Sequence, residues 1–281
     1  MSIQIEYTPE IVKRGTTRHD RVEDGDTVFV TEGIRMLGID TPEIHFPGNS
    51  KPSNSDGILN KLSGRLKAAG ANDGLADYLK NRLKKDAGTR QLKQGKDATD
   101  ALEADVKKRL AKFSEKTGKP IRDRDVYIQI AEDVFDHYGR ILAYVAPSYS
   151  KAERKKIAAS KRPTFNLQML KLGWASTIII YPNVPKLADL ELVQKAVKDA
   201  RKKKKGAWKD PNILLGYEFR ACVRLAKGDD NWITRYCVDM TNRHIHRPQD
   251  YYRVDPENRI FVQPRDLLDA MQELDLIPDF W

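Results

Sequence analysis

The stretch IRMLGIDTPEI, residues 34–44, constrains this chain more than any other. Ile34, Met36, Leu37 and Ile39 make a short apolar run of the kind that forms a half-buried strand. Yet Arg35 lies near its start, and Asp40, Thr41 and Glu43 leave its end together, with Pro42 stiffening the exit. Charged groups are tolerated in such a run when they are paired or when they work on a ligand.

Short β-branched runs flank this stretch. IQIEY (3–7), RVEDGDTVFV (21–30) and GIRMLGID (33–40) read as strands, and DGDT at 24–27 and TEG at 31–33 supply the turns. That is material for a barrel or a meander. From Gly48 to about Gly95 the chain becomes polar and rich in Gly and Asn. Helical patches are marked there by the spacing of Leu75, Tyr78, Leu79 and Leu83, and further on by Leu102, Val106, Leu110 and Phe113. VYIQIAEDVF (126–135) alternates as a strand, and DHYGRILAYV (136–145) gives a turn and another strand. TFNLQMLKLGWAS (164–176) predicts an amphipathic helix ending at Gly173, followed by the apolar strand TIIIY. Residues 187–205 predict a long helix ending in RKKKK, positive where the macrodipole favours it. In the tail, YEFRACVRLA and NWITRYCVDM around KGDDN predict a hairpin with Cys222 opposite Cys237, and a short helix is expected at about 265–274.

Charge is uneven. The whole chain carries +10, but residues 211–281 hold nine Lys and Arg against twelve Asp and Glu, so the basic excess lies upstream. A basic body suits a polyanion such as nucleic acid, through phosphate neutralisation and counterion release, or serves solubility alone. The acidic tail is a poor place for a second phosphate-binding surface. The shift in composition puts a domain boundary near WKDPN, 208–212, giving domains at 1–210 and 213–281. No apolar run reaches membrane-spanning length, and no basic-then-apolar leader opens the chain, so a cytoplasmic protein is expected. Two cysteines exclude a disulfide scaffold.

Asp26 lies in a tight turn and Asp40 at a strand end; if the two strands are neighbours, both can face one point. Oxygen donors without Cys or His suit a hard cation, Ca²⁺ or Mg²⁺, and the plainer alternative is turn capping. Arg35 and Arg140 can reach phosphate oxygens through planar pairs of donors, or can simply pair with these acids. Arginines, a hard cation and a spare carboxylate are the parts needed for phosphodiester hydrolysis.

The order DGDT, IRMLGIDTPE, DHYGRILAYV, NLQMLKLGWA, KKGAWKDP resembles the staphylococcal (thermo)nuclease family over roughly residues 15–210, interrupted by an insertion at about 45–98. The resemblance implies an α+β fold: a five-stranded OB-like β-barrel with three helices. To these the sequence adds a helical or irregular insertion, open to reading as a lid, a specificity loop, a dimerisation arm or, more plainly, a solvated spacer, and a small α+β C-terminal extension. It also implies a Ca²⁺-dependent, sugar-nonspecific nuclease that cuts DNA and RNA to leave 3′-phosphates. Asp26, Asp40 and the Thr41 carbonyl match the calcium ligands, Glu43 the general base, and Arg35 and Arg140 the phosphate clamp. Tyr138 and Tyr181 match tyrosines beside the nucleotide, and His137 stands where the family has a lysine near the terminal phosphate. Ile179 replaces an aromatic residue. Two other readings stay open: a non-catalytic nucleic-acid- or protein-binding scaffold, and a Mg²⁺ phosphodiesterase for small nucleotides. A protein inhibitor or partner acting through the C-terminal domain would restrain such an enzyme.

Overall fold

The computed structural model describes residues 18–23, 25–114, 116–136 and 138–279. The run IQIEY therefore lies outside the described residues, as does His137. In chain order the elements are β1 Arg18–Val22, β2 Val28–Thr31, β3 Ile34–Met36, β4 Gly38–Asp40, α1 Asp56–Ser63, α2 Asp73–Lys80 and α3 Ala87–Leu110. There follow β5 Lys112–Phe113, β6 Pro120–Ile121, β7 Val126–Phe135, β8 Ile141–Pro147, α4 Lys151–Lys156, α5 Phe165–Leu172, β9 Ser176–Ile180 and α6 Leu187–Lys202. The C-terminal segment adds α7 Gly216–Ala226, β10 Tyr236–Asp239, β11 His244–His246, β12 Arg259–Val262, α8 Leu267–Glu273 and β13 Ile277–Pro278.

The apolar run 34–40 is two strands rather than one. Gly38 has φ +72°, a left-handed conformation that glycine adopts without the Cβ clash other residues meet, and the chain turns there. Before the turn, β3 pairs parallel to β8, with Arg35 opposite Leu142. After it, β4 pairs antiparallel to β9, with Asp40 opposite Ser176. The buried amide of Asn166 on α5 fixes this corner: it donates to the Leu37 carbonyl at 2.9 Å and accepts from the Val145 N–H at 3.0 Å.

The sheets are consequently open. One has the order β3-β8-β7, another the order β13-β11-β10-β12-β9-β4, and β1-β2 and β5-β6 are two-stranded. The expected five-stranded barrel is not closed among the described residues, because the bend at Gly38 carries β4 out of the β3 sheet and the tail strand β12 takes the other edge of β9, in parallel. α5 is capped by the Thr164 hydroxyl at one end and by Gly173, φ +79°, at the other. A Cβ on Gly173 would meet the Lys205 carbonyl oxygen at 2.5 Å, so the close approach to the end of α6 also requires glycine.

Three core clusters follow. Ile39, Met169, Leu170 and Val197 pack β4, α5 and α6 together. Ile179, Tyr181, Val238, Ile245 and Ile260 form a second cluster within the six-stranded sheet. The largest joins the insertion to the tail: Leu59, Leu62, Leu75, Leu79 and Leu83 bury against Phe219, Cys222, Val223 and Leu225. Each leucine buried this way contributes about 1.5–3 kcal/mol. The insertion is thus helical and built into a core rather than a solvated spacer, and that core draws residues from both sides of 208–212.

The tail hairpin is also corrected. YEFRACVRLA is the helix α7, not a strand: Leu215, Phe219, Cys222 and Val223 fall on one helical face, and the Glu218 carboxylate reaches back to accept the Leu215 N–H at 3.0 Å. Cys222 and Cys237 are both buried free thiols, the first on α7 and the second on β10. A buried ion pair ties the lobe together. Arg259 lies 3.4 Å from Glu218, with exposures of 1% and 0%, and donates to the Tyr217 hydroxyl at 2.6 Å; Tyr78 of α2 donates to Glu218 at 2.9 Å. No helix among the described residues is long and apolar enough to cross a membrane.

Candidate active site

β3 supplies Arg35, the end of β4 supplies Asp40, and the exit loop supplies Glu43. The Arg35 guanidinium donates to Asp40 Oδ1 at 3.0 Å and to the Ile39 carbonyl at 3.2 Å, so it reaches along its own strand to the carboxylate. Asp40 is only 2% exposed. A buried carboxylate needs several donors, and the second set comes from outside the motif. Arg220 of α7 donates through Nη2 to both Asp40 oxygens, at 3.1 Å each, and through Nη1 to Glu43 Oε1.

Glu43 is held from behind by the insertion. Gly95 of α3 approaches so closely that a Cβ would sit 2.7 Å from the Glu43 carbonyl oxygen. With its amide turned to match its neighbours, buried Gln91 accepts the Glu43 N–H at 3.0 Å and donates to the Leu214 carbonyl at 3.0 Å. Burial pushes the Glu43 carboxyl above its ordinary range, and Arg220 offsets only part of that rise. Burial opposes the charge on Arg220, but Asp40 and Glu43 outweigh it and hold the guanidinium protonated.

A further arginine stands beside this group. Burial first, then the charges of Arg220 and Arg224, push the Arg235 guanidinium below its ordinary value, while Asp40 pulls the other way. No ion pair joins Arg235 to a carboxylate among the described residues.

The other expected site residues have partners of their own. Asp26 is exposed in the β1–β2 turn, where it accepts the Thr27 hydroxyl at 3.2 Å. No group of three His, Cys, Asp or Glu side chains placed to hold a metal occurs among the described residues. Arg140 turns to Asp136, with Nε and Nη2 at 2.7 and 2.6 Å from Oδ2, and its guanidinium stands 5.3 Å from the ring of Tyr138. Burial raises the Asp136 carboxyl, but the hydrogen bonds from Arg140 prevail and hold it below the aspartate range. Tyr138 is exposed. Tyr181 is corrected: it is buried among Val238, Ile245 and Ile260, and its hydroxyl donates to Glu273 at 2.6 Å, so its ring serves the tail core rather than a nucleotide. That hydrogen bond, with burial, pushes the Tyr181 hydroxyl up to about 12.

As placed, these residues do not fit a hard dication. Both Asp40 oxygens are taken by guanidinium donors, and Gly216 packs so tightly that a Cβ would lie 2.5 Å from both Asp40 Oδ2 and the Thr41 carbonyl oxygen, the two atoms expected to ligate calcium. Arg220 was not legible as a site residue while YEFRACVRLA read as a strand. The helical spacing of Phe219, Cys222 and Val223 was the available signal, since it leaves Arg220 and Arg224 one turn apart.

An open mixed α/β frame with an arginine–carboxylate cluster at a strand exit describes a class, and comparison places the chain within it. Residues 33–210 match the family model described as staphylococcal nuclease homologue, so the chain belongs to that family. It is also similar to endonuclease YhcR of Bacillus subtilis (strain 168), at 28% identity over 251 residues, covering 86% of this chain and 15% of that protein. The chain thus spans about 15% of the length of this curated relative.

Proposed function

We propose that this chain is a nuclease that hydrolyses phosphodiester bonds in DNA and RNA. The observation that carries the reading is the convergence of Arg35, Asp40 and Glu43 at the exit of β4, within a segment matching the nuclease family. The relative's description as an endonuclease supports it. In this reading a phosphodiester is bound by guanidinium donors, which oppose the charge that develops on the phosphoryl oxygens. Glu43, whose raised carboxyl holds a proton more readily than an ordinary glutamate, takes one from the attacking water as the bond from phosphorus to the 5′-oxygen breaks, and the departing oxygen is protonated from solvent. These groups address the phosphate and leave the sugar alone, which supports action on both DNA and RNA. The expected products are 3′-phosphates. The calcium dependence implied by the resemblance enters no step here, because the carboxylates are engaged by Arg220.

The test is digestion of plasmid and single-stranded DNA in EDTA, Ca²⁺ and Mg²⁺, beside Arg35→Ala and Glu43→Gln. Cleavage that falls by about 10²- to 10⁴-fold in both variants, with unchanged circular dichroism, would support the reading. Wild-type rates in either variant would sink it. The engagement of Arg140 by Asp136 and of Asp40 by Arg220 favours a second reading, a binding scaffold. Such a protein would shift DNA on a gel and leave it intact in all three conditions.

A further inference from the structure

The family match ends at residue 210, and the cation that completes the site lies beyond it. We propose that Arg220 and Arg235, both from the C-terminal segment, form with Arg35 the phosphate-binding face of this site, Arg220 standing at the carboxylates where a dication would otherwise be placed. The proposal deepens the nuclease reading and rests on it for the substrate class.

Position is the first support. Arg35 and Arg220 converge on Asp40 Oδ1 at 3.0 and 3.1 Å, which brings two guanidinium groups to one point beside Glu43. The Arg220 hydrogen bonds to protein run from Nη1 and Nη2, and a guanidinium has five N–H donors, so donors are left over for an oxyanion.

Permanence is the second. α7 is no lid: Phe219, Cys222 and Val223 are 0% exposed in the largest core cluster, and moving Arg220 would mean dismantling it. The guanidinium is therefore fixed in place before any ligand arrives, which removes an ordering cost from binding.

Charge is the third. Arg35 and Arg220 both donate to Asp40, and half-buried Arg235, with no ion pair to a carboxylate among the described residues, adds a further positive charge within electrostatic reach of Asp40. A guanidinium kept there without a carboxylate of its own is stabilised by an anion from solution. A phosphodiester is the anion that the neighbouring base implies.

The experiment is fluorescence anisotropy of a labelled, cleavage-resistant phosphorothioate oligonucleotide in EDTA, with inorganic phosphate as competitor. It is run on the full chain, Arg235→Ala and Arg220→Lys, with thermal melts as the folding control. Arg235→Ala leaves no buried carboxylate unpaired, so it is expected to keep the wild-type melting midpoint while losing about tenfold or more in affinity. Arg220→Lys keeps a charge on Asp40 but loses the fork, and is expected to bind about tenfold more weakly. Millimolar phosphate should displace the oligonucleotide from the wild type. Terbium luminescence should show no lanthanide bound at the carboxylates while Arg220 is present.

Wild-type affinity in both variants would overturn the proposal, as would binding that needs Ca²⁺, or phosphate binding without oligonucleotide binding. The expected affinity losses in a protein that cuts no DNA under any metal condition would support this proposal and sink the nuclease reading alone. Cleavage that depends on Glu43 but is indifferent to Arg220 and Arg235 would do the reverse.

Discussion

Glu43 is restrained at its N–H by Gln91, at its carbonyl by the close pass of Gly95, and at its carboxylate by Arg220. A positioned base gains most from such restraint. The same logic operates in the lobe beneath. Glu218 and Arg259 form an ion pair that is costly to desolvate but much costlier to break, because the survivor stays buried and uncompensated. Glu218→Gln is therefore expected to lower the stability by about 3 kcal/mol or more, read from the urea midpoint at constant slope. Replacing the pair by apolar residues of similar volume should cost far less. The two thiols make a milder prediction. Burial pushes Cys237 up to about 12 and Cys222 higher still, so neither should react with a thiol reagent in the native protein, and both should titrate in denaturant. Rapid native labelling of either would contradict the burial described here.

At the scale of elements, α3 acts as a backstop. A glycine inside a helix ordinarily costs about 1 kcal/mol relative to alanine, so Gly95→Ala would normally stabilise. Here the added methyl meets backbone atoms of Pro42 and Glu43 at 2.7–2.9 Å, which cannot swing aside as a flexible side chain would. Gly95→Ala is expected to destabilise by about 1–3 kcal/mol and to slow cleavage while the helix content by circular dichroism stays the same. Much of this level could be read from the sequence. α5 ends at Gly173 and α6 begins at Leu187 because a capping glycine and an apolar repeat are local signals. β4 delivers Asp40 as the motif implied. The failures were of a different kind. YEFRACVRLA carries apolar residues at both alternating and helical positions, and only the packing of Phe219 and Cys222 against the leucines of α1 and α2 decides between them. Tyr181 stood at the right distance in sequence from the second helix, but nothing local revealed Glu273, 92 residues later, waiting for its hydroxyl. Arg220 belongs to the same category, since its partners lie 177 and 180 residues away.

At the scale of the whole molecule, the insertion and the tail depend on each other. A chain cut after residue 210 would leave Leu59, Leu62, Leu75, Leu79 and Leu83 without Phe219, Cys222, Val223 and Leu225, and would strip β12 from the edge of β9. Such a fragment is expected to be insoluble or to lack a cooperative melt, whereas the full chain should unfold in one transition by far-ultraviolet and tryptophan signals alike. A soluble 1–210 fragment with full activity would show that the tail is dispensable. The position of α7 also bears on how the protein is made. The guanidinium that joins Arg35, Asp40 and Glu43 is translated some 180 residues after Asp40, and the strand that locks β9 later again. Contacts of such high order are slow to close, because a long loop must be ordered before any of them forms. Until α7 emerges, the nascent polypeptide would therefore lack the cation that completes its site.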